Sequence, residues 1–426
     1  MVDSTSRLPT QPRRLVVVGA SLAGLRAVEA ARKAGFDGEI VLVGAEPHLP
    51  YDRPPLSKAF LDRAVAGEGL APPPYFRTAE TMCELGVELR LGVPASGLDT
   101  DRRVVLVGDE EVAYDALVIA TGAQPRMLPG VEGLAGVHAL RTLDDSIAVR
   151  EALEAGARTV VVGAGFIGSE VAATARKRGL EATIVEALPT PLVRATGREM
   201  GAAIAALHER NGTTLRCGTG VRAIEGDGRV ERVVLEDGTT IPADLVVVGI
   251  GVVPSVGWLA GSGLTLDNGI VCDENLWTGV PGVYAAGDVA NWVNPLLGER
   301  QRMENWTAAA EQGAAAARNA LDPEHARPYG TVPYFWSDWY DVRIQFVGSP
   351  DADEVLLVDG DPDGGSRWVA LYRRSDRLIG ALTVNGQGEI MKYRGQIMKR
   401  GSWADALVFA EKRRELARQK AAAAAG

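Results

Sequence analysis

The sequence predicts an α/β protein in which two doubly wound parallel-sheet domains, the second inserted in the first, are followed by a C-terminal α+β domain. Three observations predict it. Two apolar runs, VVVGASLAG at 16–24 and VVVGAGFIGSE at 160–170, each end in a loop of small residues that opens a helical pattern. YDALVIATG at 114–122 reads as a short strand between the loops, and after the second loop DLVVVGIG at 244–251 and GVYAAGDVA at 282–290 read as buried parallel-type strands ending in glycine. From about residue 333 apolar and polar residues alternate between turns, the pattern of antiparallel strands with one wet face.

The chain's 426 residues exceed one ordinary core, so two or three domains are expected, and 46% hydrophobic with 23% charged residues is the balance of a soluble globular protein. A net charge of −10 argues against general nucleic-acid binding, which needs a basic surface. Cys83, Cys217 and Cys272 lie far apart, which argues against a local redox dithiol, an iron–sulfur ligand set or a disulfide framework; no metal is expected. Residues 1–12 carry no apolar h-region and no stretch reaches about eighteen apolar residues, so neither secretion nor membrane spanning is expected, and the protein is expected in the cytoplasm.

In chain order, RRLVVVG is a buried strand, LAGLRAVEAARKAG a helix with an apolar stripe, and EIVLVGAE a strand ending in Glu46. RTVVVGAG, FIGSEVAATARKRG and EATIVE repeat the unit at 158–186, and GVYAAGDVA at 282–290 adds another buried strand. QPRMLPG at 124–130 and GIGVVPS at 249–255 break the pattern with Pro and Gly, where the chain would pass into and out of the insertion. The expected bounds are 12–126 and 254–332 for the split first domain, 127–253 for the insertion, 333–410 for the α+β domain and 411–426 for a charged helical tail that frays.

Each loop must turn sharply, let backbone N–H groups approach a pyrophosphate, and pack a helix against a strand, so small residues are needed at three positions. Gly163, Gly165 and Gly168 satisfy all three, while the first loop has Gly19 and Gly24 with Ser21 between them. An acid at the end of the next strand, Glu46 or Glu186, suits the ribose hydroxyls of an adenosine. Two Rossmann-like dinucleotide sites follow. Glu186 repels a 2′-phosphate and no arginine occurs in EALPTPLV between it and Arg194, so the second site fits NADH, with Gly163, Gly165, Ile167, Gly168, Glu170, Glu186 and Gly251 as its residues. The first site is left for FAD, supported by the ATG turn with Thr121 and Gly122 and by Asp288 in AAGD, placed to accept from a ribityl chain.

GASLAG, EPHLPYDRPPLSK, ATG, GAGFIGSE, AAGD, ENWTAAAEQ and VPYFWSDWY occur in an order that resembles the NADH-dependent ferredoxin reductases of bacterial oxygenase systems. The resemblance runs from about residue 13 to about 405 and implies two doubly wound domains holding FAD and NAD, with electrons passed singly to a small iron–sulfur ferredoxin that feeds a P450 or other oxygenase. It implies flavin contacts for Ala23, Glu46, Lys58, Ala95, Arg141, Asp288 and Trp306; Arg53 and Trp336 are further FAD-binding candidates, the latter from its place in PYFWSD. It also implies that Lys58 and Glu170 face each other near the flavin N5 and orient the nicotinamide. Read from the residues alone, Glu170 is an acid in the first turn of a helix, where the macrodipole tolerates it, and Ser57 is a cap for the helix after RPPLSK. Ser21, Trp339 and Tyr340 depart from the family pattern, the last two where a smaller pair is commoner.

The chemistry expected is hydride transfer from NADH to FAD, the reduced flavin being stabilised by the start of the ENWTAAAEQGAAAARNA helix, followed by single-electron departures. Seven aromatics within 329–346 form either core or a flavin edge that includes Trp336. A ferredoxin is usually acidic, so weak, salt-sensitive docking needs a local positive ring, for which Arg300, Arg302 and Arg343 are candidates; solvated surface arginines are the plainer reading. A monomer or weak homodimer is expected. The alternatives are a flavin-dependent NADH oxidase, a disulfide reductase, which the cysteine spacing disfavours, and an NADH-sensing interaction protein.

Overall fold

A computed structural model describes residues 12–62 and 71–425, so residues 1–11 of the N-terminal stretch lie outside the described residues. Two units are separated by their internal contacts: 1–52, 73–124 and 252–331 form one, and 53–72, 125–251 and 332–426 form the other. The chain therefore changes unit inside both Pro/Gly-broken stretches, and makes one further excursion over 53–72.

The first unit is built on a five-stranded parallel sheet whose order is Val283–Ala285, Ala116–Ile119, Arg14–Val18, Glu39–Gly44, Val87–Leu91. Every residue of Leu15–Val18, Ile40–Val43 and Ala116–Ile119 is buried, which explains why these strands read as unbroken apolar runs rather than alternating ones. The helix Leu22–Lys33 follows the first strand and packs along Trp306–Leu321. They approach so closely that a Cβ on Gly313 would lie 2.0 Å from the Ala23 carbonyl oxygen. Asn305 caps the second of these helices, accepting from Ala308 N–H at 2.9 Å.

The second unit repeats the design. Its parallel sheet has the order Thr214–Cys217, Ala182–Glu186, Thr159–Val162, Leu245–Val248, Val137–Ala139. In each unit a three-stranded antiparallel meander precedes the strand that pairs with the loop-bearing strand on its other side, Ala116–Ile119 or Leu245–Val248: Ala95–Asp99, Val104–Val107 and Glu110–Ala113 in the first, Val221–Glu225, Arg232–Leu235 and Thr240–Pro242 in the second. The internal repeat thus extends beyond the glycine loops to the whole strand–helix–strand succession.

The C-terminal part forms a five-stranded antiparallel sheet in the order Tyr334–Trp339, Val342–Gly348, Arg377–Val384, Trp368–Arg374, Glu354–Gly360. The helices Gln387–Met398 and Trp403–Ala425 follow. The second of these carries the 411–426 tail in helix through Ala425. Among the described residues no helix is long and apolar enough to cross a membrane, and no group of three or more His, Cys, Asp or Glu could hold a metal ion.

Candidate functional site

Both glycine loops are closed by the same three backbone approaches. Gly19 N–H donates to Val43 O at 2.7 Å, and Gly163 N–H to Val185 O at 2.8 Å, so each loop is hung from the second strand. Gly19 has φ +118° and a Cβ there would lie 2.1 Å from Ala120 O; Gly163 has φ +98° and its Cβ would lie 2.4 Å from Gly249 O. An L side chain is excluded at both by conformation and by the neighbouring strand. Gly24 and Gly168 let helix meet strand, since a Cβ would strike the Gly19 carbonyl at 1.8 Å or the Gly163 carbonyl at 2.6 Å.

The middle position differs. Around Gly165, which is extended with φ −79°, the nearest atom to an added Cβ is Gly249 O at 3.7 Å, so the protein itself does not require glycine there. That open space is what a closely approaching pyrophosphate needs, and Ser21 occupies the equivalent N-cap position in an extended conformation too. The glycine cradles, each with a helix N-terminus behind it, therefore fit a dinucleotide apiece.

The acids are held differently. Glu186 accepts Ala164 N–H and Leu188 N–H, both at 2.8 Å, which fixes its carboxylate beside the second loop. Glu46 lies two residues beyond its strand and accepts the Tyr51 hydroxyl. In the first unit Thr121 Oγ1 donates to Ser255 O at 3.0 Å, Gly122 takes φ +68°, and the Trp306 indole donates to Asp52 at 2.8 Å. Asp288 lies in the short turn Gly287–Val289, whose Gly287 N–H is held by Gln312 Oε1 at 2.8 Å. Ala95 begins the meander of the same unit.

Arg53, Lys58, Arg141 and Trp336 belong to the second unit. Arg53 donates to the Arg141 carbonyl, and Arg141 N–H donates to Asp145 at 3.0 Å. Trp336 is half-buried and stacks on Tyr334, with centroids 5.7 Å apart. Ile167 and Gly251 are exposed near the second glycine loop.

Lys58 and Glu170 meet. Lys58 Nζ stands 2.8 Å from Glu170 Oε1, and the acid is 3% exposed. Ser337 Oγ donates to Oε1 and Ser57 Oγ to Oε2, so the carboxylate has three side-chain donors. Such a buried ion pair is tolerated because its acceptor positions are filled. Two sequence expectations are corrected here. Glu170 is the fifth residue of the helix Phe166–Lys177, beyond the first turn and buried, so tertiary donors rather than the macrodipole hold its charge. Ser57 closes a 3₁₀ turn, Pro54–Ser57, rather than capping a helix, because its hydroxyl is given to Glu170. Ser146 Oγ holds Leu56 O at 2.7 Å, and the buried Arg178 guanidinium holds Leu61 O at 2.8 Å, clamping the lysine segment on both sides.

The aromatic cluster divides: Tyr329, Trp339, Tyr340 and Phe346 are buried core, whereas Tyr334, Phe335 and Trp336 are half-buried. The three candidate docking arginines are engaged within the chain. Arg300 donates to Cys272 O and Asn291 O, Arg302 pairs with Glu304 at 2.5 Å, and Arg343 pairs with Asp338 at 2.6 Å. All three cysteines are free thiols, and burial pushes Cys272 up to about 12, out of the nucleophilic range. Nothing local in the sequence shows that Ser57 and Ser337 reach Glu170 or that Trp339 reaches Ser337, because serines and an indole carry no spacing signal.

Residues 13–313 match the family described as pyridine nucleotide-disulphide oxidoreductase, and residues 334–419 match a reductase C-terminal domain. The chain belongs to the pyridine nucleotide-disulphide oxidoreductase family. It is 39% identical to rhodocoxin reductase of Rhodococcus erythropolis, over 87% of this chain and 86% of that protein. Against a putidaredoxin reductase of Pseudomonas putida identity is 36%, over 87% and 88%. The covalent putidaredoxin reductase–putidaredoxin complex superposes with a TM-score of 0.86 at 33% identity, covering 95% of this chain and 99% of the matched one. Membership makes the chain an oxidoreductase of a family that uses FAD and NAD(H). Its scattered cysteines mean that it lacks the dithiol that the family's description evokes.

Proposed function

We propose that the protein is an FAD-dependent NADH:ferredoxin reductase that passes electrons singly to a small iron–sulfur ferredoxin of an oxygenase system. The observation that supports it most directly is the pair of matching glycine cradles, each closed by a third parallel strand, alongside a buried Lys58–Glu170 pair. Relatives of this length and identity carry the names of oxygenase-system reductases, and without a dithiol the electrons need an external acceptor.

FAD is held by Gly19, Ser21, Ala23, Gly24, Glu46, Thr121, Gly122, Asp288 and Trp306, with Arg53, Lys58, Ala95, Arg141 and Trp336 completing its contacts. NADH is held by Gly163, Gly165, Ile167, Gly168, Glu170, Glu186 and Gly251. Accordingly 12–126 with 254–332 is the FAD-binding domain and 127–253 the NAD-binding domain, with 333–410 as the C-terminal α+β domain. Bound FAD supplies a group that takes electrons in pairs and releases them one at a time. The protein's part is placement and charge. Lys58 presents a cation whose position is fixed by Glu170, and Glu170 keeps that cation balanced while the nicotinamide is oriented. The N–H groups that open the Trp306–Leu321 helix favour negative charge beside them. A cytoplasmic monomer or weak homodimer completes the reading.

Anaerobic titration with NADH and with NADPH, followed by cytochrome c reduction with and without an acidic [2Fe–2S] ferredoxin, tests it. NADH should reduce the flavin far faster, and ferredoxin should accelerate the dye reaction; no acceleration, with rapid peroxide formation under air, identifies an oxidase instead. Lys58→Ala should slow flavin reduction about a hundredfold while FAD is retained, as expected for a group that positions the reacting ring. Rapid mixing measures the rate.

A further inference from the structure

One donor to the Glu170 carboxylate reaches back into residues that the proposed function does not use. Ser337 Oγ donates to Glu170 Oε1 and accepts from the Trp339 indole N–H at 2.8 Å; Ser337 and Trp339 are completely buried. An indole N–H only donates, so it occupies a lone pair of the hydroxyl and leaves the O–H to point at the carboxylate. Without it, a serine hydroxyl is free to turn.

The indole is itself held. Its ring stacks on His208, with centroids 4.6 Å apart and planes 24° apart. Both nitrogens of His208 are engaged, Nδ1 with the Tyr340 hydroxyl at 2.8 Å and Nε2 with Ser169 Oγ at 3.0 Å. Ser169 directly precedes Glu170, so the contacts close a ring: Glu170, Ser337, Trp339, His208, Ser169. Tyr340 has φ +55° in the two-residue turn between Tyr334–Trp339 and Val342–Gly348, where Asn or Gly is usual. A bulky residue stays in that conformation where its surroundings over-determine it, and the contacts of its hydroxyl with His208 and Thr213, the latter at 2.7 Å, do so.

We propose that Trp339 is a positioning residue for the Lys58–Glu170 pair: it fixes the Ser337 hydroxyl as a donor to Glu170 and is itself fixed by the His208 stack. The proposal rests on the reading of that pair as the hydride-transfer site. Trp339→Phe keeps an aromatic ring on His208 and removes the N–H. The limiting rate of flavin reduction should fall about tenfold, the size of one buried hydrogen bond, with the apparent Kd for NADH changed by less than about twofold. In a Glu170→Gln background the same substitution should add nothing, since coupled residues are not additive.

A second readout does not depend on turnover. With 15N-labelled tryptophan, the Trp339 indole resonance, assigned by its loss in Trp339→Phe, should exchange slowly and should shift in both Ser337→Ala and Glu170→Gln. Ser337→Ala keeps the stack and carries the rate test if Trp339→Phe does not fold. Additive rate losses in the double variant, or an indole resonance unmoved by Glu170→Gln, overturn the positioning role and leave the site reading standing. Unchanged flavin reduction in Lys58→Ala and Glu170→Gln alone would remove the site reading, and the proposal with it.

Discussion

The two parallel sheets share the order of four of their five strands, the loop geometry and the antiparallel meander before Ala116–Ile119 or Leu245–Val248, yet they differ in the edge strand, Val283–Ala285 coming last in the first sheet and Val137–Ala139 first in the second, and in what lies between the two strands that follow each glycine loop. In the second unit that connection is Val193–Thr196 and the helix Arg198–Arg210, which brings His208 beneath the C-terminal sheet. In the first unit it is a long excursion over 53–72 followed by the short helix Ala79–Glu84, and the excursion delivers Lys58 to Glu170. A duplicated scaffold fixes where phosphates go; the unmatched connections supply the chemistry.

The most damaging change should be the one the two loops share. Gly19→Ala or Gly163→Ala places a Cβ about 2 Å from a strand carbonyl in a left-handed backbone, a strain on the order of 3 kcal/mol or more. Gly19→Ala should yield protein without FAD. Gly163→Ala should keep FAD and lose NADH binding, so absorbance and NADH titration separate the two cradles. A Gly163→Ala protein with normal NADH affinity would break the parallel between them.

Acid should distinguish the units next. His208 is buried and neutral, pushed from 6.5 down to about 4 by burial, and burial lowers His138 in the same unit. The exposed His325 of the first unit is raised instead, by its Asp322 partner. As pH falls below 6.5 the unfolded chain takes up the His208 proton and the folded chain does not. The associated stability is therefore complete above 6.5 and lost progressively toward pH 4, by on the order of 3 kcal/mol. Hydrogen exchange at pH 7 and 4.5 should show protection lost first in the second sheet, and His208→Gln should flatten that dependence. Equal loss in both sheets removes this difference.

What could be read in the sequence follows the same division. The strands were legible because burial on both faces leaves unbroken runs such as LVVV at 15–18 and 245–248, and the loops because three steric demands leave little but glycine. The excursion's destination was not, since nothing local in RPPLSK specifies which unit receives it. Glu170 was placed on a helix start because its immediate sequence fits one; its burial depends on Ser57 and Ser337, 113 and 167 residues away. The arginines looked available because sequence shows charge and conceals partners, and each is paired or bonded to backbone.

A smaller effect is expected at the acids. Glu186 is pinned by loop N–H groups, whereas Glu46 takes a tyrosine hydroxyl. Glu186→Gln keeps an acceptor and removes the charge, so the ratio of kcat/KM for NADH over NADPH should fall about tenfold with FAD content unchanged. An unaltered ratio would mean that the carboxylate only shapes the loop.

The finest discrimination lies at the one of the three small-residue positions where the cradles differ, Ser21 against Gly165. Gly165→Ser makes the second loop like the first, and because the nearest protein atom to the new Cβ is 3.7 Å away, the change in stability should stay within about 0.5 kcal/mol. If the open space receives the pyrophosphate, KM for NADH should nevertheless rise several-fold, on the order of 1 kcal/mol of lost binding. Ser21→Gly, the reciprocal change, should leave FAD bound, with its effect confined to the added backbone freedom of the loop. A Gly165→Ser protein with unchanged KM would show that the glycine is indifferent to the ligand as well as to the fold, and that the second cradle tolerates serine as the first does.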